Sequence, residues 1–448
     1  MRAIVGGPRR DLIVFRSARS LDWRPDLVSR ADKMRTTARR ARRTAAWVIG
    51  LAALAGCGDR SASPLEPIVV PRVDTLLSVG RVATLGGAQA SSWQAYLAAS
   101  QAGAQADQAV LDAELRALAR TGWDPAPVAA DFTLTSAMTP VWFQGAEAHR
   151  IADDIVSFQT PTGGWSKAVD MTAGPRAPGQ SWSSTTSWSW ISTFDNGATT
   201  EELRFLAAAY QAQGDTTHLR AFLKGLYYVL AAQFPNGCWP QVYPLEGSYH
   251  DAATFNDNAI VHVLAVLTAA ARGDWSFVPA GTRTRASAAV NQGLTCILAA
   301  QVKVRGQLTT WAQQNDPLTL LPVPARAYEP AALDGGYESA GLMDYLMGLS
   351  APGADVVTAV HAAAAWFKQN AIYGYIWVNG QLTPSKGAGP IWARFYELGT
   401  DRPIFGDRDG SVHYDVSEIS EERRLGYAWY GNAPAATLKR FDTWATTH

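Results

Sequence analysis

The sequence predicts an all-α fold, an (α/α) barrel or toroid built from repeated helical hairpins with long active-site loops at one end. Apolar residues recur at helical spacing in several segments, and a helix ending in glutamine is followed four times by a loop that carries glycine or tryptophan. Alternation typical of strands is scarce. The clearest helical patterns cover residues 201–215, 219–233, 257–271, 286–301 and 356–369.

The glutamines give the repeat its period. They are Gln159, Gln233, Gln301 and Gln369, separated by 74, 68 and 68 residues. This spacing accommodates one helical hairpin with its loops, and successive hairpins then share one continuous core. We expect the loops to gather at one end and form a cleft.

Charge is unevenly distributed along the chain. Residues 1–45 hold 13 Lys+Arg against 4 Asp+Glu, and subtracting these from the totals of 39 and 39 leaves 26 basic and 35 acidic residues. The remainder is therefore acidic by nine charges, which is not typical of a nucleic-acid-binding protein. We expect no nucleic-acid partner.

The basic N-terminal region predicts export. From Met34 a basic segment leads into an apolar run that ends in LAGC at Cys57, and this order is typical of a signal peptide. The ending resembles a bacterial lipobox, which implies cleavage before Cys57 and lipid attachment to it. A cleaved secretory signal without lipid is the alternative. We interpret residues 1–33 as a mis-annotated extension and residues 34–57 as the signal of a periplasmic, cell-surface or secreted protein.

Residues 58–90 contain proline and serine and are predicted to form a flexible linker, so that the main domain covers residues 91–448. Two cysteines lie in that domain, Cys238 and Cys296. They lack the CxxC spacing of a zinc site and are too few for a disulfide scaffold. We interpret them as buried thiols.

Two similar motifs, FDNGA at 194–198 and FNDNA at 255–259, each place an aspartate beside an asparagine before a helix. Carboxylate and amide oxygens are the ligands that a hard divalent cation prefers, and the repeat spacing suits a shared site. The same residues are also the preferred helix N-caps. Both interpretations of Asp195 and Asp257 remain open from these motifs alone.

Two further loops add arginines. Residues 313–330 set Arg326 among prolines and aromatic residues, and residues 407–429 hold several more charges. Arginine binds carboxylates in a bidentate manner, so a cation site with arginines in one cleft suits a polyanion. Loop tryptophans such as Trp165 and those in residues 181–190 are candidates to pack on sugar rings, or else belong to the core.

An ordered set of motifs resembles the pectate lyases of polysaccharide lyase family 10. The motifs occur in family order across most of residues 140–432: GGWSK (163–167), TFDNGATTEELRFL (193–206), NGCWPQVYP (236–244), TFNDNAI (254–260), residues 315–330, IWARFYEL (391–398) and residues 405–431.

This resemblance implies an (α/α) barrel and Ca²⁺-assisted cleavage of polygalacturonate, the homogalacturonan of pectin, by β-elimination in a catalytic domain of residues 91–448. It implies that Asp195 and Asp257 serve a Ca²⁺ site and that Arg326 is the base. Arg394 and Arg408 are candidates for binding substrate carboxylates, with structural ion pairs as the alternative. The remaining candidates for substrate binding are Lys167, Trp165, Asn196 and Asn258. We expect a monomer, with a membrane contact only through the lipid anchor.

Three positions depart from the family pattern: Ser166, Cys238 and Asn315 stand where proline, glycine and histidine are expected. None of them is a proposed catalytic residue. Two other functions remain open. An inverting glycoside hydrolase would use a pair of carboxylic acids from Glu329, Glu338 and Asp316. A non-catalytic pectin-binding lipoprotein would keep the cleft without cleaving the polymer.

Overall fold

The computed structural model describes residues 76–129, 132–185 and 187–448. The predicted extension, the signal peptide and Cys57 lie outside these residues. The helices of the described chain are α1 (Val79–Ala83), α2 (Gly87–Ala117), α3 (Ala146–Ser157), α4 (Thr200–Gln213), α5 (Thr216–Ala231), α6 (Ala259–Arg272), α7 (Ala280–Ala300), α8 (Tyr337–Met347), α9 (Ala354–Gln369), α10 (Glu421–Gly426) and α11 (Ala433–Trp444). Across the described ranges, none of these helices has the length and apolar character needed to span a membrane.

Most of the helices pair as antiparallel hairpins, α4 with α5, α6 with α7, and α8 with α9. Helices α3, α5, α7 and α9 contact one another in sequence, and so do α4, α6, α8 and α11. Glycines end two of the helices where the hairpins turn: Gly214 after α4 and Gly273 after α6 have φ of 74° and 80°, the left-handed conformation that favours glycine. The mainly helical fold is confirmed, whereas closure of the two rows into a barrel remains a prediction.

Connections at the two ends of the rows differ in length. The turns from α4 to α5, α6 to α7 and α8 to α9 are short, whereas long loops cover residues 158–199, 232–258, 301–336 and 370–432. All four long loops leave the helix rows at the same end, because each connects a helix of the first row to one of the second. The sequence correctly placed the loops together.

The long loops also carry short strands, which the all-α prediction missed. The strands are β1 (Ala253–Thr254), β2 (Lys303–Val304), β3 (Gln307–Leu308), β4 (Gln314–Asn315), β5 (Leu333–Asp334), β6 (Tyr375–Val378), β7 (Gln381–Pro384), β8 (Trp392–Ala393), β9 (Phe395–Tyr396), β10 (Pro403–Gly406), β11 (Val412–His413) and β12 (Tyr430–Gly431). Strand β1 pairs with β4 of the next loop, and β5 pairs with β9 of the loop after that. Backbone groups buried between loops need partners, and pairing across loops supplies them.

The repeated glutamines have one structural role. The side-chain amide of each of the first three donates to a carbonyl of its own loop and to a carbonyl of the next helix in the first row, at 2.8–2.9 Å. The pairs of acceptors are Gly163 and Ala221 for Gln159, Gly237 and Ala289 for Gln233, and Thr309 and Ala359 for Gln301. Gln369 differs, since its side chain is exposed at the end of α9. Each bond pair fastens a loop to the following hairpin.

Loop tryptophans repeat in the same way. The indole N–H of each donates to a carbonyl of the preceding first-row helix: Trp165 to Ile155, Trp239 to Val229, Trp311 to Ile297 and Trp392 to Phe367. All four rings are fully buried. Helix glycines make room for two of them, because a Cβ at Gly225 would lie 2.7 Å from the Trp165 ring and one at Gly293 would lie 2.9 Å from the Trp239 ring.

Replacing Gln301 with alanine is expected to lower the free energy of unfolding by about 1–3 kcal/mol, because two buried carbonyls lose their donor. Urea denaturation of the described domain measures this change. The matched control is Gln369→Ala, which removes the same side chain from an exposed position and should stay within about 0.5 kcal/mol of the parent. If both variants lose the same free energy of unfolding, the hydrogen bonds of Gln301 do not stabilise the domain as proposed.

The packed domain begins before the predicted boundary at Ser91. Leu76 and Val82 are buried, and the guanidinium of Arg81 lies 2.8 Å from the carboxylate of Asp316. Helix α2 then starts at Gly87 and packs Trp93 into the main core. The part of the predicted linker from residue 76 to residue 90 is therefore part of the domain, because its apolar residues find partners that local composition did not reveal.

The two cysteines form a disulfide, so their interpretation as thiols was wrong. Cys238 in the second long loop is bonded to Cys296 of α7, and their Cα atoms are 5.4 Å apart, within the usual range. The cysteines are separated by 58 residues, and a loop of that size lets the bond stabilise the fold by about 4 kcal/mol in the chain-entropy account. Spacing along the chain could not show that the hairpin brings them together.

Candidate functional site

Two short 3-10 turns in neighbouring loops carry the predicted acidic residues. The turns are Asp195–Gly197 and Asn256–Asn258, and they contact each other. Asn196, Asp257 and Asn258 have φ of 52°, 50° and 56°. Asparagine and aspartate tolerate this left-handed conformation better than other residues with a Cβ, which accounts for their use here. Such backbone is typical of functional sites.

The helix-capping interpretation of these aspartates does not hold. Helix α4 begins after Thr199 and α6 after Asn258, and within the described chain neither residue caps its helix through its side chain. Asp195 and Asp257 lie further upstream in their turns. Their carboxyl groups instead lie close together across the two loops and interact electrostatically.

Charge around the carboxyl pair is asymmetric. Burial alone would raise the pKa of Asp195, but the ammonium of Lys167, which forms a close ion pair with it, holds the pKa below its usual value. The pKa of Asp257 is raised well above its usual value, by burial first and then by the charges of Asp195 and Glu338. Of the two carboxyl groups, Asp257 therefore has the higher affinity for a proton.

The pair is suited to a hard cation. Oδ1 of Asp195 and Oδ1 of Asn258 are buried oxygens without a hydrogen-bond partner among the described residues. Glu338 adds a third buried carboxyl, whose pKa burial raises to about 7. Oxygen donors with this much negative charge match the ligand preference of Ca²⁺. The residues present therefore fit the predicted ion.

Arg394 lies inside the site and is paired. Its guanidinium donates to Glu338 at 2.8 Å and lies 4.7 Å from the ring centre of Tyr427. The pKa of Arg394 is raised further above its usual value by the nearby Glu338 carboxylate, although burial opposes the shift. The predicted alternative of a structural ion pair is thus present, and the guanidinium Nε has no partner in the described chain.

Arg326 stands at the surface and is connected to Arg394 through Glu329 and Tyr427. Its guanidinium forms a bidentate pair with Glu329, whose carboxylate also accepts a hydrogen bond from the Tyr427 hydroxyl at 2.6 Å. Burial opposes the charged form, but the Glu329 carboxylate raises the pKa of Arg326 above its usual value. With 44% of its side chain exposed, Arg326 is accessible to a polymer.

Several residues of this region were not predicted from the sequence. The Tyr328 ring lies between three guanidinium groups, at 5.1 Å from Arg326, 5.3 Å from Arg408 and 4.4 Å from Arg423. Arg408 is exposed and pairs with Glu422 at the surface. The run of charges in residues 407–429 signalled a site here, but the sequence did not indicate that tyrosine rings would organise it.

Lys167 joins the acidic pair to an aromatic surface. Its ammonium lies 4.1 Å from the ring centre of Trp190, in addition to its ion pair with Asp195. Asn196 is exposed beside that pair, whereas Asn258 is buried against Gly341, where a Cβ would lie 2.2 Å from the Asn258 Oδ1.

The prediction that Trp165 binds substrate was wrong. Its ring is fully buried and its indole N–H is bonded to Ile155, so no face is left for a sugar. Trp190, with its partly exposed ring above Lys167, is the better-placed tryptophan.

Two of the three carboxyl groups proposed for a hydrolase have structural partners. Asp316 is buried, accepts hydrogen bonds from the backbone of Leu318 and Thr319, and pairs with Arg81. Glu329 is engaged by Arg326 and Tyr427. These contacts give the carboxylates structural partners, and an inverting hydrolase would need one of them to activate a water molecule.

Comparisons with known proteins identify the relatives of this chain. A sequence model described as pectic acid lyase matches residues 159–438. The chain is similar to the solved structure of a family 10 polysaccharide lyase from Cellvibrio cellulosa, with 36% identity and a TM-score of 0.60 over 70% of this chain and 98% of that one. It is similar, at the same identity and TM-score, to a mutant of that lyase in complex with trigalacturonic acid, over 70% of this chain and 99% of that one. A search of curated proteins gives no match.

Proposed function

The chain belongs to the pectic acid lyase family, a family of polysaccharide lyases, and from this premise we propose that it cleaves 4-linked α-D-galacturonan by Ca²⁺-assisted β-elimination. The observation that carries the proposal is the buried carboxyl pair of Asp195 and Asp257 with cationic side chains on both sides. The related lyase in complex with trigalacturonic acid supports the choice of substrate.

The substrate sets the chemical problem. The proton on C5 of a galacturonate lies next to a carboxylate, and its removal places further negative charge beside an existing one. A base takes this proton, the electron pair forms the C4–C5 double bond, and the C4–O bond breaks. The electron pair of that bond leaves with the glycosidic oxygen, which takes up a proton from the protonated base or from solvent. The products are a 4,5-unsaturated end and an oligogalacturonide with a free hydroxyl, and no water is added across the bond.

Asp195 and Asp257 would hold the calcium ion, with Glu338 and Asn258 next to them. When bound, Ca²⁺ neutralises the substrate carboxylate and makes the adjacent C5 proton more acidic. Lys167 keeps Asp195 ionised and therefore ready to ligate. Arg394 stabilises the ionised form of Glu338 and adds positive charge next to the acidic residues.

Arg326 is the residue that we propose as the base, and Arg408 would bind a substrate carboxylate further along the cleft. The Arg326 side chain is exposed on its loop, as contact with a polymer requires. A base needs a neutral guanidine, and the Glu329 carboxylate disfavours that form by raising the pKa. The role of Arg326 therefore depends on substrate binding altering its pairing with Glu329.

Purified protein incubated with polygalacturonate should show rising ultraviolet absorbance, because β-elimination creates a conjugated double bond. We expect this rise with Ca²⁺ present. New reducing ends without the absorbance change would instead establish hydrolysis, and neither signal would leave a non-catalytic pectin-binding protein. Either of these results would overturn the proposed reaction.

We further propose that the protein is exported and anchored through lipid on Cys57. The disulfide between Cys238 and Cys296 supports export, because disulfides persist in oxidising compartments outside the cytoplasm. Cys57→Ser is expected to move the protein from the membrane fraction to the soluble exported fraction, as detected by fractionation and immunoblotting. Retention of the variant in membranes would refute anchoring at this residue.

A further inference from the structure

A second cluster of metal-ligating side chains lies at the opposite end of the helix rows from the long loops. His149 and Asp153 lie in the first turns of α3, and Asp215 and His218 lie at the start of α5. Gln213 ends α4 beside them. The α4–α5 turn is one of the short turns, so this cluster is separate from the catalytic loops.

Hydrogen bonding fixes the ring of His149. The side-chain amide of Gln213 donates to the carbonyl of Phe143 at 2.6 Å, which turns its Oε1 toward His149 Nδ1 at 2.5 Å. Because Oε1 only accepts, Nδ1 carries the proton. The lone pair of the neutral ring is then on Nε2, and a metal-binding histidine is commonly oriented in this way through its other nitrogen.

Two carboxylates face that lone pair. Nε2 of His149 lies 3.7 Å from an oxygen of Asp153 and 3.8 Å from an oxygen of Asp215. These separations are too long for hydrogen bonds. They are close to the roughly 3.3 Å that separates neighbouring ligands around a tetrahedral ion with bonds of about 2.0–2.1 Å. His149 and Asp215 are therefore close enough to contribute two ligands to one ion.

His218 completes the cluster. His149, Asp215 and His218 each offer a ligand atom, and these atoms lie within 4.8 Å of one another. The His218 ring is fully buried, with Nε2 at 3.0 Å from Asp153, and its Nδ1 has no hydrogen-bond partner in the part of the chain that the structure describes. A buried ring nitrogen without a partner is costly unless a ligand uses it.

We propose that His149, Asp215 and His218 bind a first-row divalent metal ion such as Zn²⁺, with Asp153 hydrogen-bonded to His218 beside the site. Two imidazoles with a carboxylate form a donor set that zinc accepts, whereas calcium prefers oxygen ligands alone. The site joins α3 to α5 across the end of α4, so bound metal stabilises this end of the domain. It requires neither the substrate nor the Ca²⁺ of the loops.

Calorimetric titration of untagged, chelator-stripped protein with Zn²⁺ tests the proposal. We expect one equivalent to bind with micromolar or tighter affinity, and Co²⁺ in its place to give the visible absorption of a tetrahedral site. Zn²⁺ should also raise the melting temperature. His149→Ala should abolish the stoichiometric binding, and Gln213→Ala should weaken it by about 10–100-fold, since it removes only the orienting hydrogen bond.

Asp215→Asn is the most selective variant. Asp215 caps α5 by accepting from the backbone N–H of Thr217 at 2.7 Å, and asparagine caps equally well. The helix should therefore remain intact while zinc affinity falls. His448→Ala, which removes an exposed terminal histidine, should leave zinc binding unchanged. Absence of stoichiometric binding to the parent protein, or binding that survives both His149→Ala and Asp215→Asn, would overturn the proposal.

Discussion

Replacing Arg326 with alanine is expected to lower kcat on polygalacturonate by about 10²–10⁴-fold, the usual contribution of a positioned general base. KM should change much less, because the remaining arginines and the calcium site still bind the polymer. Steady-state rates followed by ultraviolet absorbance measure both constants. A kcat near that of the parent protein would remove Arg326 from the proposed mechanism.

The control for Arg326 is Arg285→Ala, because Arg285 is an exposed arginine on helix α7, away from the long loops. It should leave both constants unchanged. If Arg285→Ala lowers kcat equally, the effect of Arg326→Ala reflects overall charge or folding and not the reaction.

Two more variants separate a base from a fixed positive charge. Arg326→Lys introduces an amine, and the usual pKa of a lysine side chain is about 10.4. If the residue acts as a base, the activity of this variant should rise with pH toward that value. Glu329→Gln removes the carboxylate that raises the pKa of Arg326, so the acidic limb of the pH–rate profile should move to lower pH. An electrostatic role predicts the opposite pattern: lysine retains activity at neutral pH, and Glu329→Gln leaves the acidic limb in place.

Removing calcium with a chelator is expected to abolish turnover, and added Ca²⁺ should restore it. Asp257→Ala should lower kcat by about 10²–10³-fold at a calcium concentration that saturates the parent, because Ca²⁺ loses a ligand and the negative charge that develops on the substrate is less well neutralised. Asp442→Asn is the control, since it removes one carboxylate from an exposed surface position. Undiminished activity in chelator would contradict the calcium-assisted mechanism.

The calcium requirement should also depend on pH. The pKa of Asp257 is raised above its usual value, so below that pKa the carboxyl is protonated and a cation must displace the proton. Calcium affinity, measured by titration calorimetry without substrate, should therefore increase as pH rises through the titration of this group. Asp257→Asn, which cannot ionise, should remove most of this dependence.

Much of the candidate site was predictable because its residues lie in short sequence motifs. The aspartates of the two FDN-type turns were recognisable, and so was the arginine among prolines at 326. Their alternative role as helix caps could be rejected only with the backbone in view, because the turns place Asp195 and Asp257 upstream of the actual caps. Motif order identified the family, but it did not assign the structural partners of Arg394 or Arg408.

The errors have a common physical origin in long-range contacts. Trp165 belongs to the core because the α5 helix presents Gly225 beneath its ring, 60 residues along the chain. The disulfide joins a cysteine of the second long loop to a cysteine of helix α7. The missed start of the domain depends on Arg81 reaching Asp316. Local composition and periodicity carry no information about contacts between distant residues. They therefore predicted the helices correctly but not the residues that each helix or loop contacts.

The hydrogen bonds of Gln159, Gln233 and Gln301 make each of the first three long loops depend on the hairpin that follows it. Each of the first three glutamines connects its own loop to a carbonyl of the hairpin that follows. The conformation of each loop therefore depends on residues that come later in the sequence. The loop that contains Arg326 is held by Gln301 through Ala359 of α9, a helix with no residue in the site. A mildly destabilising substitution in α9 would therefore lower catalytic activity, whereas a more strongly destabilising one would also lower the solubility of the protein. Recombination that exchanges hairpins between relatives should preserve function best when each loop travels together with the hairpin after it.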